Sequence, residues 1–152
     1  MFDELVKKLY EKGLTIGSVE SLTAGLFCAK VAEISGASKV LKGGLVTYDP
    51  QLKIFLANVN EKTIEDFGVV SQEVATQMAR GGQKNMHTNI CVSFTGNAGP
   101  TVLEGKEVGE VYIGIAFNEE LKVFHKIFSG QRNEIREKVV CFACEKILQM
   151  LV

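Results

Sequence analysis

The 152-residue sequence has no tryptophan, only two prolines and only two histidines, and its charges nearly cancel: 17 Lys and Arg against 18 Asp and Glu leave a formal charge of −1. Each shortage excludes something. Without clustered Lys and Arg there is no positive field to grip nucleic acid or an anionic membrane, so neither is expected as a partner. No stretch approaches the roughly 18 apolar residues that a membrane span needs. The start, MFDELVKKLYEKG, has the spacing of an amphipathic helix and lacks the unbroken apolar run of a signal peptide. The four cysteines, Cys28, Cys91, Cys141 and Cys144, are therefore expected to be free thiols in a reducing, cytoplasmic compartment. Cys141-x-x-Cys144 falls within a helical pattern, with no second Cys or His pair to complete a zinc site, and reads as core filler.

What is present fits one globular unit. Apolar residues make up 46% and charged residues 23%, near globular averages. The length suits a single domain over residues 1–152. Such a chain buries roughly 68–70% of its unfolded surface and needs no staples.

Phe2, Leu5, Val6 and Leu9 recur at helical spacing and Gly13 follows as a stop. Residues 14–20 read as a strand ending at Glu20. The turn Ser21-Leu22-Thr23-Ala24-Gly25 leads into a helical run through Ile34, so backbone N–H groups at that helix N-terminus should face whatever sits above the turn. Gly43–Tyr48 reads as a second strand, and Asp49-Pro50 as the start of a short helix. Another helix covers Glu61–Phe67. Ser71 caps a helix to about Met86, weakened in its middle by Gly81-Gly82. Residues 89–95 form an apolar run suited to a buried strand. The Gly-rich segment 96–109 is a loop; Glu110–Phe117 and Leu121–Phe128 form a hairpin; Gln131–Met150 is helical, with Ile135, Val139, Phe142 and Ile147 or Leu148 on its buried side. This alternation predicts an α/β fold, a three-layer α/β/α sandwich around a mixed sheet of about five strands.

Ligands in such folds favour the crevice beyond the carboxyl ends of the strands. Three segments follow strands directly and converge there: Glu20–Gly25, Tyr48–Lys53 and Thr95–Pro100. Two readings stand here: Ser21 or Thr23 as a helix cap, or Ser21 as a nucleophile, which requires a base. His87 lies near a helix end and His125 within a strand, and neither adjoins the crevice in this reading. Lys53 could be that base only if burial or cationic neighbours bring its pKa from about 10.4 toward 7–8; a lysine on a short helix is otherwise a solvated residue. The TGNAGP segment offers glycine-flanked N–H groups for an oxyanion or phosphate, but it matches neither a Walker loop nor the dinucleotide fingerprint. Arg132 and Arg136, one helical turn apart, either pair with a phosphate or are solvated.

Several motifs occur together in one order. They are Glu20-Ser21-x-Thr23-x-Gly25, Gly43-Gly44-x-Val46-x-Tyr48 with Lys53 five residues on, Gly68-x-Val70-Ser71, Thr95-Gly96-x-Ala98-Gly99-Pro100, Val108-Gly109-x-Val111-Tyr112 and Ser129-Gly130-x-Arg132. Over nearly the whole chain this resembles the C-terminal domain of the CinA competence/damage-inducible proteins, some of whose members are nicotinamide-nucleotide amidases. The resemblance implies hydrolysis of nicotinamide mononucleotide to nicotinate mononucleotide and ammonia by a Ser/Lys mechanism, with no metal or organic cofactor. It makes Ser21 the nucleophile, Lys53 its base and Tyr48 an orienting residue. It puts Glu20, Thr23, Gly25, Gly44, Thr95, Gly96, Ala98, Gly99, Arg132 and Arg136 around the substrate, with Arg132 at the 5′-phosphate. It also implies a homo-oligomer, for which the outer edge of the hairpin offers a surface. The sequence departs from the family pattern at Ala24, at Asn97 and in TVLEGKEVG after Pro100, which lacks the usual double glycine. Those departures keep open an alternative: a catalytically impaired nucleotide-binding or regulatory module linked to competence or DNA damage.

Overall fold

The computed structural model describes residues 1–102 and 104–152; Leu103, within the loop expected over 96–109, lies outside the described residues. Helix α1 (Phe2–Lys12) buries Leu5, Val6 and Leu9 and stops at left-handed Gly13, whose N–H returns to the carbonyls of Leu9 and Tyr10. Strand β1 (Ile16–Glu20) is buried at every residue. Helix α2 (Leu26–Ala32) is shorter than the expected run through Ile34. A short 3-10 turn (Ala37–Lys39) leads to β2 (Leu41–Val46). Helix α3 (Pro50–Ala57) is capped by Asp49, whose side chain accepts the Gln51 N–H at 2.8 Å.

Helix α4 (Glu61–Phe67) and helix α5 (Gln72–Met86) follow, α5 capped by the Ser71 hydroxyl at the Val74 N–H. Then come β3 (Ile90–Gly96), β4 (Glu110–Phe117), β5 (Glu120–Ile127) and α6 (Arg132–Met150). The β4–β5 turn passes through Asn118 at φ 51°, a conformation that asparagine tolerates. The second strand, expected over Gly43–Tyr48, ends two residues early: the Thr47 N–H on the Glu20 carbonyl closes its last bridge, Glu20 with Val46, and β1 itself ends at Glu20.

The five strands lie in the order β2-β1-β3-β4-β5. The first three are parallel and the last two antiparallel, so the carboxyl ends of β1, β2 and β3 open on one edge. One face packs α1, α2 and α6 through a large apolar cluster that includes Leu9, Phe27, Phe94 and Ile135. The other packs α3 and α5 through Val19, Ala57, Val74, Met78 and Cys91, with Ile64 of α4 against them. This is a three-layer α/β/α arrangement.

Gly81 and Gly82 do not weaken α5, which runs unbroken through them. A Cβ at Gly81 would lie 1.6 Å from the Ala57 carbonyl oxygen, and one at Gly82 would lie 2.3 Å from a methyl of Val19. The entropic cost of two helical glycines, about 1 kcal/mol each, is offset by the close approach of α5 to α3 and to the sheet. The Cys141-x-x-Cys144 pair sits in α6, with Cys144 in the core and Cys141 half-buried. Burial pushes the Cys144 thiol up to about 12, which suits packing and not reactivity. Among the described residues no helix is long and apolar enough to cross a membrane.

Candidate active site

The segments that leave β1, β2 and β3 meet at that edge. Ser21 follows β1 directly, held where its N–H donates to the Phe94 carbonyl of β3 at 3.1 Å. Lys53 lies on the first turn of α3, which Asp49 and Pro50 start at a fixed point after β2. Its side chain turns inward and is 1% exposed. The Nζ donates to the Thr47 carbonyl at 2.8 Å and to Ser21 Oγ at 3.0 Å. Burial is the chief influence on this amine and lowers its pKa to about 8; the charges of Asp49 and Glu104 oppose it.

Ser21 opens into a cleft of about 240 Å³, walled by Leu22, Tyr48, the backbone run Gly96–Gly99, Thr101 and Arg132. Arg132 bridges two walls, donating to the Gly99 carbonyl at 2.7 Å and to the Tyr48 hydroxyl at 2.8 Å. Tyr48 stands at the mouth, half exposed. The cleft thus holds a serine with a buried amine behind it, glycine-rich backbone beside it and a guanidinium across from it. That arrangement can activate a hydroxyl, stabilise an oxyanion and pair with an anionic group.

Of the residues expected around a substrate, Ser21, Tyr48, Gly96, Ala98, Gly99 and Arg132 line the cleft, and Lys53 lies directly behind Ser21. The others form its backing and do not line it. The fully buried Glu20 carboxylate accepts the Phe27 and Cys28 N–H groups at 2.9 and 3.1 Å and the Ser18 hydroxyl at 2.7 Å. The N–H groups expected to face a ligand from α2 are therefore held internally, and neither Ser21 nor Thr23 caps that helix. Gly25 supplies the left-handed entry to α2, and Thr23 is fully buried. At Gly44 a Cβ would lie 2.8 Å from the Ser18 hydroxyl, so this glycine serves packing between strands and α2. Thr95 donates to the Val69 carbonyl at 2.7 Å. Arg136 holds the carbonyls of Leu22 and Thr23, both at 2.9 Å, and so braces the Ser21 turn instead of facing the cleft.

The histidines stand outside the cleft: His87 ends α5, and His125 pairs with Glu110 at 2.9 Å and stacks on Tyr112. Leu22, Asn97 and Thr101 also line the cleft; the sequence marked Asn97 and the loop from Thr101 as departures from the family pattern, but none of the three as a substrate contact. The Thr47 carbonyl, which anchors the amine, had no signal, because any residue provides one.

An α/β/α fold with a serine and a buried lysine at the ends of its parallel strands defines the class, and comparison defines the family. The profile of the CinA C-terminal domain matches residues 1–151, and the chain belongs to that family. A Bacillus subtilis protein named for competence-damage inducibility is 44% identical over 153 residues, covering 97% of this chain and 36% of that protein. The CinA-like protein of Petrotoga mobilis is 41% identical, covering 99% of this chain and 37% of that protein. The chain therefore spans about a third of the length of the curated relatives it matches. Among solved structures, the competence/damage inducible protein CihA of Agrobacterium tumefaciens superposes with a TM-score of 0.90 at 32% identity, over 97% of this chain and 94% of that one. The competence or damage-inducible protein of Enterobacter asburiae superposes at 0.95 with 27% identity, over 100% and 99%.

Proposed function

We propose that the chain is an amidohydrolase acting on nicotinamide mononucleotide, releasing nicotinate mononucleotide and ammonia. The observation that carries the reading is the 3.0 Å contact between a buried lysine amine and the Ser21 hydroxyl at the floor of the cleft. In the neutral form the amine accepts the Ser21 proton as Oγ attacks the carboxamide carbon. N–H groups of the Gly96–Gly99 run other than that of Asn97, which is held by the Glu110 carbonyl, meet the developing oxyanion. The lysine returns its proton to the departing amine, and water, activated by the same base, frees the acid from Ser21. Each proton Lys53 takes is given back within the cycle. Arg132 pairs with the 5′-phosphate, and Tyr48 orients it.

Incubating the purified protein with nicotinamide mononucleotide and measuring ammonia tests the proposal. Turnover at an enzymatic rate is expected; tight nucleotide binding with no ammonia would move the reading to a binding module, the role left open by the altered loop after Pro100. Activity on other small amides but not on this one would retain the Ser/Lys chemistry and change the substrate.

A further inference from the structure

Glu104 stands in the loop after Pro100, where the sequence departs from its family, and backbone groups bind its carboxylate. One oxygen accepts the Val69 N–H at 2.9 Å and the other the Val70 N–H at 3.1 Å. Two successive N–H groups on one carboxylate make charge-assisted bonds, roughly twice as strong as neutral ones. The residue before them, Gly68, has φ 78°, and a Cβ there would lie 2.7 Å from both carboxylate oxygens. The receptor is thus shaped so that the acid comes in close. The same segment reaches the cleft: the Val69 carbonyl accepts the Thr95 hydroxyl at 2.7 Å, and Thr95 leads into Gly96 of the cleft wall.

We propose that Glu104 is a positioning residue for the Ser21–Lys53 pair, an assignment that rests on the amidase reading. Docked on Val69–Val70 it fixes the end of β3 through Thr95, and it places a negative charge within electrostatic reach of the buried amine. Asp49, on the amine's own helix, and Glu104, from the loop, are the charged groups that act on Lys53, and both favour its ammonium form against burial. Its uncharged partners are the Ser21 hydroxyl and the Thr47 carbonyl. Losing Glu104 should therefore both loosen the wall and make the amine less basic.

The test uses the unliganded full chain, with hydrogen exchange at the Val69 and Val70 amides and an NMR titration of the Lys53 side chain. In Glu104→Ala both amides should exchange at least about tenfold faster. In Glu104→Gln the lysine should titrate at lower pH than in the parent, and the acid limb of kcat/KM should move down with it. Gly68→Ala keeps the charge but obstructs the receptor, and it should reproduce the faster exchange. Unchanged exchange in Glu104→Ala, or an unmoved Lys53 titration in Glu104→Gln, overturns the proposal. If the parent releases no ammonia, the amidase reading falls, while exchange and titration still decide the role of Glu104.

Discussion

One face of the sheet is covered by large side chains: Leu5, Leu9, Phe27, Ile135 and Ile147 from the helices meet Ile90, Phe94, Ile113 and Ile115 from the strands. Phe27 lies at the centre, its ring 5.8 Å from that of Phe2 and 5.6 Å from that of Phe94. The opposite face mixes Val74 and Met78 with small residues. Ala57, Ala75, Ala79, Gly81 and Gly82 let α5 press on the sheet and on the end of α3, and Ser93 donates to the Ala75 carbonyl at 2.6 Å. The face of large residues stabilises by area removed from water. The face of small residues holds α3 close enough to keep a lysine out of solvent. The chemistry of the cleft follows from the second kind of packing.

The sharpest break in this contrast is at the cleft itself. Ser21→Ala is expected to lower turnover about 1,000-fold or more with no loss of folding, and Lys53→Ala about 100- to 10,000-fold; ammonia release and thermal melting check both, and full activity in either variant removes the pair. On the large-residue face, Phe27→Ala should cost about 3–5 kcal/mol in urea unfolding, since its volume cannot be refilled. A cost under 1 kcal/mol would mean that this face does not carry the stability.

Lys53 gives the opposite sign. Its folded pKa, about 8, lies below its ordinary 10.5, so folding opposes the ammonium form. The cost is absent above the unfolded value, grows as pH falls from 10.5 to 8, and is complete below 8. Lys53→Met should therefore be more stable than the parent at pH 7, by about 3 kcal/mol less what its lost hydrogen bonds contribute. The gain should fade toward pH 10.5 in parallel unfolding series; a gain constant with pH would refute the linkage. The same titration makes kcat/KM rise about tenfold per pH unit below about 8 and level off above it. The smallest effect is at the rim. Tyr48→Phe keeps the ring and loses one bond to Arg132, so it should raise KM by less than about tenfold with kcat nearly unchanged.

Much of the fold was legible because the signals were local. Gly13 after an amphipathic run, Asp49-Pro50 and Ser71 mark helix ends through backbone groups within a few residues of each other, and those boundaries stand as read. Boundaries set by distant partners were not legible. Strand β2 ends early because its partner β1 ends at Glu20, and the N-terminus of α2 is held from that strand by the Glu20 carboxylate, which the family resemblance placed around the substrate. Ser21, Tyr48 and Gly96 were legible as site candidates because each lies where a strand ends. The backing roles of Thr95 and Arg136 were not, since a hydrogen bond to a carbonyl 26 or 113 residues away leaves no mark in either local sequence.

The sequence by itself determined which elements form, the mixed α/β class and the three loops that gather at one edge, because periodicity, caps and glycines act over short range. Only the tertiary structure decided that Lys53 is buried and meets Ser21 and not water, and that the Glu20 carboxylate occupies the N-terminus of α2. A side chain's burial, and with it the basicity of an amine, depends on what packs over it from elsewhere in the chain, and that no local pattern specifies.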